Sequence, residues 1–284
     1  MTPLHKNIAM YAWHTYYRLR TSRPVFYLLN LRSQRSFKRS KGLLCSADAS
    51  IVDEVSNNGY AVRFLGDFFE PDTISKIEAQ AVQRKNVLMT DPSFDRGADF
   101  VGKAFLRRSS ELDNRFLLED PLVHFVVRGR ANNIARHYLG QEAKITNIDY
   151  WLNLPSGNGE EPTSSQKWHR DFEDRRVFKV FVYLTDVDES NGPMSYLSGS
   201  QPGGRYGLIF PTRPPLGVVV EDEQLSGVVD PTSPHTLKLP RLAVVFVDTA
   251  GIHRGGYCKS SLRLAFTATF TTFAGLSSEN FVIE

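Results

Sequence analysis

The sequence predicts a mainly β fold with flanking helices, of the antiparallel barrel or double-sheet jelly-roll type. Two observations lead to this prediction. The segments after Lys144 are rich in Val, Ile, Phe, Tyr and Thr and alternate with period two, whereas the segments before it contain good helix formers. The length of 284 residues and the hydrophobic content of 41% suit one large globular domain with a substantial core.

The first 47 residues differ in character from the rest of the chain. They contain nine basic residues and no acidic residue, and "NIAMYAWHTYYRLR" carries apolar side chains at roughly helical spacing. We therefore predict a basic, helical N-terminal extension over residues 1–47 and a single domain over residues 48–284. The extension could pack on the domain as an arm, contact a membrane surface or an acidic partner, or act as a transit peptide if the source has organelles. No nucleic-acid recognition motif accompanies the charge, so specific nucleic-acid binding is not expected.

Helices are predicted on the N-terminal side of the domain. The stretch "NNGYAVRFLGDFFEPDTISKIEAQAVQRK" predicts a strand over Tyr60–Phe64 and then a helix that begins near Pro71. A further helix is predicted over residues 121–139, ending at Gly140.

Four strands are predicted in the C-terminal half of the chain. In the last of them, "LRLAFTATFTTF", the residues Leu264, Phe266 and Phe270 fall on one face, while Arg263 and the small residues after it fall on the other. Small side chains beside an arginine suit the lining of a barrel cavity. The four segments are "KITNIDYWLNL", "VFKVFVYLTDV", "RLAVVFVDT" and "LRLAFTATFTTF".

Composition also bears on the cellular setting. No apolar run is long enough for a transmembrane helix. The two cysteines, Cys45 and Cys258, are too few for a disulfide framework and form no C-x-x-C pair. A reducing, cytoplasmic location is the expected one.

A metal-binding pattern lies within the β half. "WHRD" places His169 and Asp171 two residues apart, so on a strand both side chains would point to the same face. A second histidine, His253, follows 84 residues after the first, and Arg263 comes ten residues later. Two histidines and one carboxylate can occupy one face of an octahedral Fe(II), leaving three positions for a bidentate 2-oxo acid and dioxygen. A guanidinium then suits the far carboxylate of that acid.

This ordered set resembles the Fe(II)/2-oxoglutarate dioxygenases. More narrowly, "VFVYLTDVDESNGPMSYLSGSQ" and the earlier "NGYAVRFLGDFFEPDTISKI" resemble the phytanoyl-CoA dioxygenase (PhyH-like) branch, whose members carry an acidic turn, an Asn-Gly and a "PGSH"-like segment. The resemblance covers roughly residues 55–275. It implies a double-stranded β-helix, which is a jelly-roll or cupin-like fold.

The resemblance also implies roles for individual residues. His169, Asp171 and His253 match the iron ligands, Arg263 matches the arginine that binds the C5 carboxylate of 2-oxoglutarate, and Asn153 matches an amide that holds the same cofactor. Two positions depart from the family pattern. Gly255 stands where relatives often have Ser or Thr to assist the arginine, and Gln201 replaces the histidine of "PGSH".

The expected activity is hydroxylation of a small molecule with dioxygen, coupled to decarboxylation of 2-oxoglutarate to succinate. Halogenating relatives replace the ligand carboxylate, so Asp171 favours hydroxylation. Arg175 and Arg176, close to the predicted ligands, are candidate anchors for an acidic substrate. Two other readings stay open: a non-catalytic β-barrel that binds a ligand or acts as a scaffold, and a cupin-like metalloenzyme that does not use 2-oxoglutarate.

Overall fold

The four strands predicted for the C-terminal half lie in one antiparallel sheet of six strands. The structure is a computed structural model and describes residues 11–12, 15–16, 18–20, 22–94, 105–155, 164–209 and 219–284. The strands are β1 Tyr60–Phe64, β2 Leu106–Arg108, β3 Arg115–Phe116, β4 Lys144–Asn153, β5 Trp168–His169, β6 Phe178–Tyr183, β7 Ser195–Leu197, β8 Val219–Val220, β9 Pro234–Thr236, β10 Ala243–Asp248, β11 His253–Arg254, β12 Arg263–Thr271 and β13 Val282–Ile283.

The six-stranded sheet has the strand order β1-β10-β6-β12-β4-β2. A second antiparallel sheet of five short strands completes the barrel, in the order β8-β5-β11-β7-β9. A third, small sheet pairs β13 with β3. The predicted double-stranded β-helix with flanking helices is confirmed. The two adjacent strands β5 and β11 carry the two predicted histidine ligands.

Strand β12 shows how alternation separates the core from the cavity. Phe266 and Phe270 are fully buried in the main core, which lies between this sheet and the helices. Arg263 and Thr269, on the opposite face, line a cavity inside the barrel. The two faces predicted from the sequence are therefore both present.

The helices on the N-terminal side of the domain pack against the outer face of the six-stranded sheet, whereas a short helix after β8 packs against the five-stranded sheet. The helices are α1 Arg23–Ser40, α2 Ser46–Asn58, α3 Pro71–Thr90, α4 Pro121–Val127, α5 Arg130–Leu139 and α6 Asp222–Leu225. The single helix predicted over residues 121–139 is wrong, because the chain breaks there into α4 and α5. The break contains Gly129, where an added Cβ would lie 2.8 Å from the Cα atom of Phe125. Gly129 has a low helix propensity, but a single glycine within a helical pattern is often tolerated and does not by itself predict a break. The close approach of the backbone of Phe125, which requires a glycine at this position, depends on the folded structure.

Helix α1 lies in the basic segment and packs on the domain. Its buried residues are Asn30, Ser33 and Phe37, which recur at helical spacing. Of the helix predicted over residues 7–20, positions 11, 12, 15, 16 and 18–20 are helical, and the others lie outside the described residues. The division into an extension over 1–47 and a domain over 48–284 stays a prediction. Across the described part of the chain, no helix combines the length and apolarity that a bilayer crossing requires.

Candidate metal centre and cavity

The sheet register brings the predicted ligands together. His169 on β5 lies directly opposite His253 on β11, and their ring centroids are 4.3 Å apart. Asp171 follows β5, and its backbone N–H donates to the carbonyl of Thr249 at 2.9 Å, which holds the carboxylate beside the two rings. Residues separated by 84 positions in sequence thus form one cluster.

The distances within this cluster suit a single metal ion. The Nε2 atom of His169 lies 3.7 Å from Oδ1 of Asp171, and Nε2 of His253 lies 3.9 Å from Oδ2. One donor atom from each residue lies within 4.8 Å of the others. Two imidazoles and a carboxylate form the donor set of non-haem Fe(II) oxygenases.

Hydrogen bonds set the orientation of both imidazole rings. Nδ1 of His169 lies 2.8 Å from the carbonyl oxygen of Lys167, and Nδ1 of His253 lies 3.0 Å from that of Gly251. A carbonyl can only accept, so each Nδ1 carries the proton and each Nε2 keeps its lone pair. Such outer hydrogen bonds are the usual support of metal-bound histidines. The residues present therefore fit a divalent iron.

The charges of the cluster also favour metal binding. Burial, together with a smaller effect of the neighbouring His169, lowers the pKa of His253 to about 3, so the ring is neutral at physiological pH. Burial alone would raise the pKa of Asp171. The positive charge of Lys179, with smaller effects from His253 and His169, instead holds that pKa well below its usual range. Asp171 and His253 are thus in the protonation states that a cation requires.

Lys179 is a feature of the site that the sequence interpretation missed. Its Nζ atom donates to Oδ2 of Asp171 at 2.6 Å. Burial lowers its pKa, but Asp171 and Glu173 outweigh that effect and raise the pKa above its ordinary value, so the lysine is charged. The signal was visible, because Lys179 is the one charged residue in the apolar stretch "FKVFVY".

A cavity of about 940 Å³ opens beside the cluster inside the barrel. It contains the predicted cofactor residues Arg263 and Asn153, which lie opposite each other on β12 and β4. The wall of this cavity contains both aromatic or apolar side chains and charged side chains. Lining residues include Trp151, Phe181, Tyr183, Met194, Arg108, Glu111, Glu173 and Lys179.

Arg263 faces the cavity, and its guanidinium forms no ion pair with any of the described residues. Its Nη1 donates to the backbone carbonyl of Asn191 at 3.2 Å, and no carboxylate of the described residues lies within 4.0 Å of it. Asn191 opens the Asn-Gly turn, and the next residue, Gly192, has φ +72° and lies against the backbone of Gly256. A glycine is required there because a Cβ would overlap the Gly256 carbonyl oxygen. The turn that matched the family pattern therefore supports the arginine.

The two departures from the family pattern have different consequences. Gly255 lines the cavity and offers no hydroxyl to assist Arg263. Gln201 lies elsewhere, where its Nε2 donates to the carbonyls of Ser56 and Asn57 at 2.9 and 3.1 Å and so ties the loop after β7 to the end of α2. Gln201 touches none of the candidate ligands.

Arg175 and Arg176 do not line the cavity. The guanidinium of Arg175 lies 5.5 Å from the ring centroid of Phe26, and that of Arg176 lies over the ring of Tyr138 and donates to its carbonyl at 3.1 Å. The substrate role predicted for them stays a prediction. The cavity itself offers Arg108 and Glu173 as nearer charged groups.

The fold and this cluster define a class of protein, the 2-oxoglutarate-dependent oxygenases built on a double-stranded β-helix. The sequence profile of the phytanoyl-CoA dioxygenase (PhyH) family matches residues 55–211 of the chain. That match covers more than half of the sequence, so the chain belongs to the phytanoyl-CoA dioxygenase family.

Solved structures confirm the fold. EctD from S. alaskensis with 2-oxoglutarate and 5-hydroxyectoine has a TM-score of 0.56 and 18% identity, over 86% of this chain and 91% of its own. The epimerase SnoN in complex with Fe3+, alpha ketoglutarate and nogalamycin RO has a TM-score of 0.52 and 16% identity, over 80% and 84%. AviO1 from Streptomyces viridochromogenes Tue57 has a TM-score of 0.51 and 17% identity, over 82% and 98%. Comparison with curated protein sequences gives no significant match.

Proposed function

We propose that the protein is an Fe(II)- and 2-oxoglutarate-dependent oxygenase that hydroxylates a small molecule, with His169, Asp171 and His253 as the metal ligands. One observation carries the proposal. The three donor atoms converge to within 4.8 Å of one another on the wall of a cavity that also contains the guanidinium of Arg263, which forms no ion pair within the described part of the chain. Membership of the phytanoyl-CoA dioxygenase family supports the same activity.

Each residue of the site has a definite task in this proposal. Bound Fe(II) supplies the chemistry that couples decarboxylation of 2-oxoglutarate to oxidation of the substrate by dioxygen. The carbonyls of Lys167 and Gly251 orient the two imidazoles toward the metal. Arg263 binds the far carboxylate of 2-oxoglutarate through its guanidinium, and Asn153 opposite it donates an amide N–H to the same cofactor. The aromatic wall restricts the entry of water.

Hydroxylation is the outcome that the ligand set favours. The carboxylate of Asp171 fills the position that halogenating relatives leave to a halide. The neighbours show that the fold alone does not fix the outcome, since one is described as an epimerase and another is bound to 5-hydroxyectoine. The substrate is therefore a small molecule that fits a cavity of about 940 Å³ with both apolar and charged walls.

Substitution of the ligands tests the proposal. His169→Ala and Asp171→Ala should each abolish conversion of 2-oxoglutarate to succinate while the protein stays folded by circular dichroism. His124→Ala, which changes an exposed histidine on α4, is the matched control and should retain turnover. Full turnover by either ligand variant would exclude the assignment.

The same assay separates the two rival functions. A non-catalytic barrel would bind neither Fe(II) nor 2-oxoglutarate productively, and the wild-type protein would release no succinate. A cupin-like metalloenzyme would bind Fe(II) but would not respond to 2-oxoglutarate.

We also propose a cytoplasmic location. Both cysteines are free, Cys45 on the surface and Cys258 in the interior, which supports a reducing compartment. Fractionation of the native source would test it, and recovery with secreted proteins would contradict it.

A second proposal concerns the outer face of α1, which we assign to contact with an anionic membrane surface. The helix packs on the domain through a polar residue: Asn30 donates to the hydroxyl of Thr272 at 3.0 Å and accepts from the backbone N–H of Ala274 at 3.0 Å. Leu28 and Leu31, three residues apart, lie away from the buried face, with Leu28 70% exposed, and the side chain of Tyr27 is exposed beside them. An apolar stripe on the solvent side of a helix requires an explanation.

Charge complementarity supports a lipid partner. The C-terminal half of α1 adds Arg32, Arg35, Lys38 and Arg39 beside this stripe, and the helix contains no acidic residue. Apolar side chains that enter the headgroup region, next to cations that attract anionic lipid, are the pattern of interfacial helices.

Vesicle sedimentation tests this assignment. The protein should bind vesicles of phosphatidylcholine with phosphatidylserine and not vesicles of phosphatidylcholine alone, and salt should weaken binding. The double variant Leu28→Ser, Leu31→Ser should lose binding, whereas Val82→Ser, at an exposed valine of α3, should retain it. Absence of binding to anionic vesicles would contradict the lipid assignment and leave an acidic protein partner as the alternative.

A further inference from the structure

The bond between Lys179 and Asp171 has a consequence for the metal centre. Lys179 lies on the inner face of β6, between Val247 on β10 and Thr269 on β12, at the middle of the six-stranded sheet. Its ammonium lies 2.6 Å from Oδ2 of Asp171, and the two side chains are 13% and 14% exposed. The bond is therefore a short, charge-assisted hydrogen bond largely removed from water.

Fold stability does not account for a lysine at this position. The next inward-facing residues of β6 are Phe181 and Tyr183, so an apolar side chain would suit the strand. Burial of an ion pair costs solvation free energy that the pairing often does not recover, and well-packed apolar residues are commonly as stable. The position of the lysine, on the metal-binding carboxylate, indicates a functional task.

The geometry shows which oxygen the lysine holds. Each oxygen of Asp171 faces one histidine, Oδ1 lying 3.7 Å from Nε2 of His169 and Oδ2 lying 3.9 Å from Nε2 of His253. Among the described residues only Oδ2 accepts a hydrogen bond from a cation, the ammonium of Lys179 at 2.6 Å. The positive charge of the ammonium at Oδ2 competes with a metal cation for that oxygen, so Oδ1 is the oxygen that a metal between the histidines would bind more readily. An octahedral ion has six positions, of which the two histidines take two, one aspartate oxygen takes one and 2-oxoglutarate takes two. A carboxylate that bound through both oxygens would fill the last position.

We propose that Lys179 is a positioning residue that keeps Asp171 monodentate and so keeps the sixth metal position open for dioxygen. The inference rests on the proposed function, because the count of positions assumes Fe(II) and bidentate 2-oxoglutarate. The ligand assignment alone gives no role to the second carboxylate oxygen of Asp171.

A simpler role for Lys179 would be to neutralise charge. Glu173 also lines the cavity and interacts electrostatically with Lys179, so the ammonium lies near two carboxylates. If neutralisation were the whole role, Glu173→Gln would compensate for the loss of the lysine charge. If Lys179 holds Oδ2, compensation requires a donor at position 179, as Lys179→Arg provides.

The experiment uses nitric oxide, which binds Fe(II) at the position that dioxygen would take and gives an electron paramagnetic resonance signal. The anaerobic full-length protein is loaded with Fe(II) and 2-oxoglutarate and titrated with nitric oxide. Lys179→Met should bind nitric oxide at least about tenfold more weakly than wild type, the lower end of the usual effect of removing a residue that supports a metal ligand. Lys179→Arg should recover most of the affinity, and adding Glu173→Gln to Lys179→Met should not.

The control is Lys238→Met, which removes an exposed lysine paired with Glu189 and should behave as wild type. Equal nitric oxide affinity in Lys179→Met and wild type would overturn the inference, as would rescue by Glu173→Gln. Failure of the proposed function is distinguishable, because wild type itself would then form no complex with Fe(II) and 2-oxoglutarate.

A second measurement needs no variant and so does not depend on whether Lys179→Met folds. A crystal structure of the wild-type protein with Fe(II) and 2-oxoglutarate should show one Asp171 oxygen on the metal and the other on Lys179. Two Asp171 oxygens on the metal would overturn the inference.

Discussion

Arg263→Gln should weaken binding of 2-oxoglutarate and leave binding of Fe(II) unchanged. The guanidinium lies half-buried on the cavity wall, and its described partner is a backbone carbonyl at 3.2 Å, so its charge is available for an anion. An ion pair at about 4 Å in an effective dielectric of about 20 has a Coulomb energy of about 4 kcal/mol before desolvation. Hydrogen bonds to charged groups contribute about 1.5–3 kcal/mol net, so the Kd for 2-oxoglutarate should rise about 10- to 150-fold.

Anaerobic titration of the Fe(II)-loaded protein with 2-oxoglutarate measures this effect through the visible charge-transfer band. Arg254→Gln is the matched control, because Arg254 lies on β11 and pairs with Asp222 on the surface instead of facing the cavity. Its Kd should equal that of wild type. A Kd for Arg263→Gln within twofold of wild type would refute the proposal that Arg263 binds the cofactor.

Three other changes test further parts of the structure. The pKa of His253 falls from 6.5 in the unfolded chain to about 3 in the folded protein, so the unfolded state binds more protons between these two pH values. The unfolding free energy of the metal-free protein should therefore drop by about 2 kcal/mol when the pH is lowered from 7.5 to 5. An equal drop in His253→Gln would contradict the assignment of this effect to His253. Gly192→Ala should lower the unfolding free energy, measured by urea titration, by at least about 2 kcal/mol, because φ at this residue is +72° and the new Cβ would overlap the Gly256 carbonyl. Unchanged stability would show that the turn can shift to accommodate the methyl group. Gln201→His should lower the unfolding free energy by about 1 kcal/mol, because a hydrogen bond to the carbonyl of Ser56 or Asn57 is lost, and should not change the Kd for 2-oxoglutarate. An altered Kd would indicate that Gln201 contacts the cofactor site.

Much of the fold could be predicted because alternation in the strands is long and regular. In β12, nine residues alternate between core and cavity, and the sequence identified both faces. The break between α4 and α5 could not be foreseen, because it depends on the contact of Gly129 with the backbone of Phe125. The short strands β5 and β11 have two residues each, too few to show a period, so their pairing follows from the barrel and not from their own sequence.

The candidate site was predicted in its residue types and only partly in its contacts. The order of His169, Asp171, His253 and Arg263 was sufficient to select them, and the register of β5 with β11 brings the two histidines together. Lys179 was overlooked because a single charge in an apolar strand does not by itself indicate its partner. Its bond to Asp171 depends on the placement of the loop after β5, which no local pattern specifies.

The most direct test of the central claim is anaerobic titration of the wild-type protein with Fe(II) and then 2-oxoglutarate. One equivalent of Fe(II) should bind, and 2-oxoglutarate should then produce a weak visible band that is absent in Asp171→Ala. If wild type bound no Fe(II), or if the Fe(II) complex gave no band with 2-oxoglutarate, the assignment of this cavity as an Fe(II)/2-oxoglutarate active site would be contradicted.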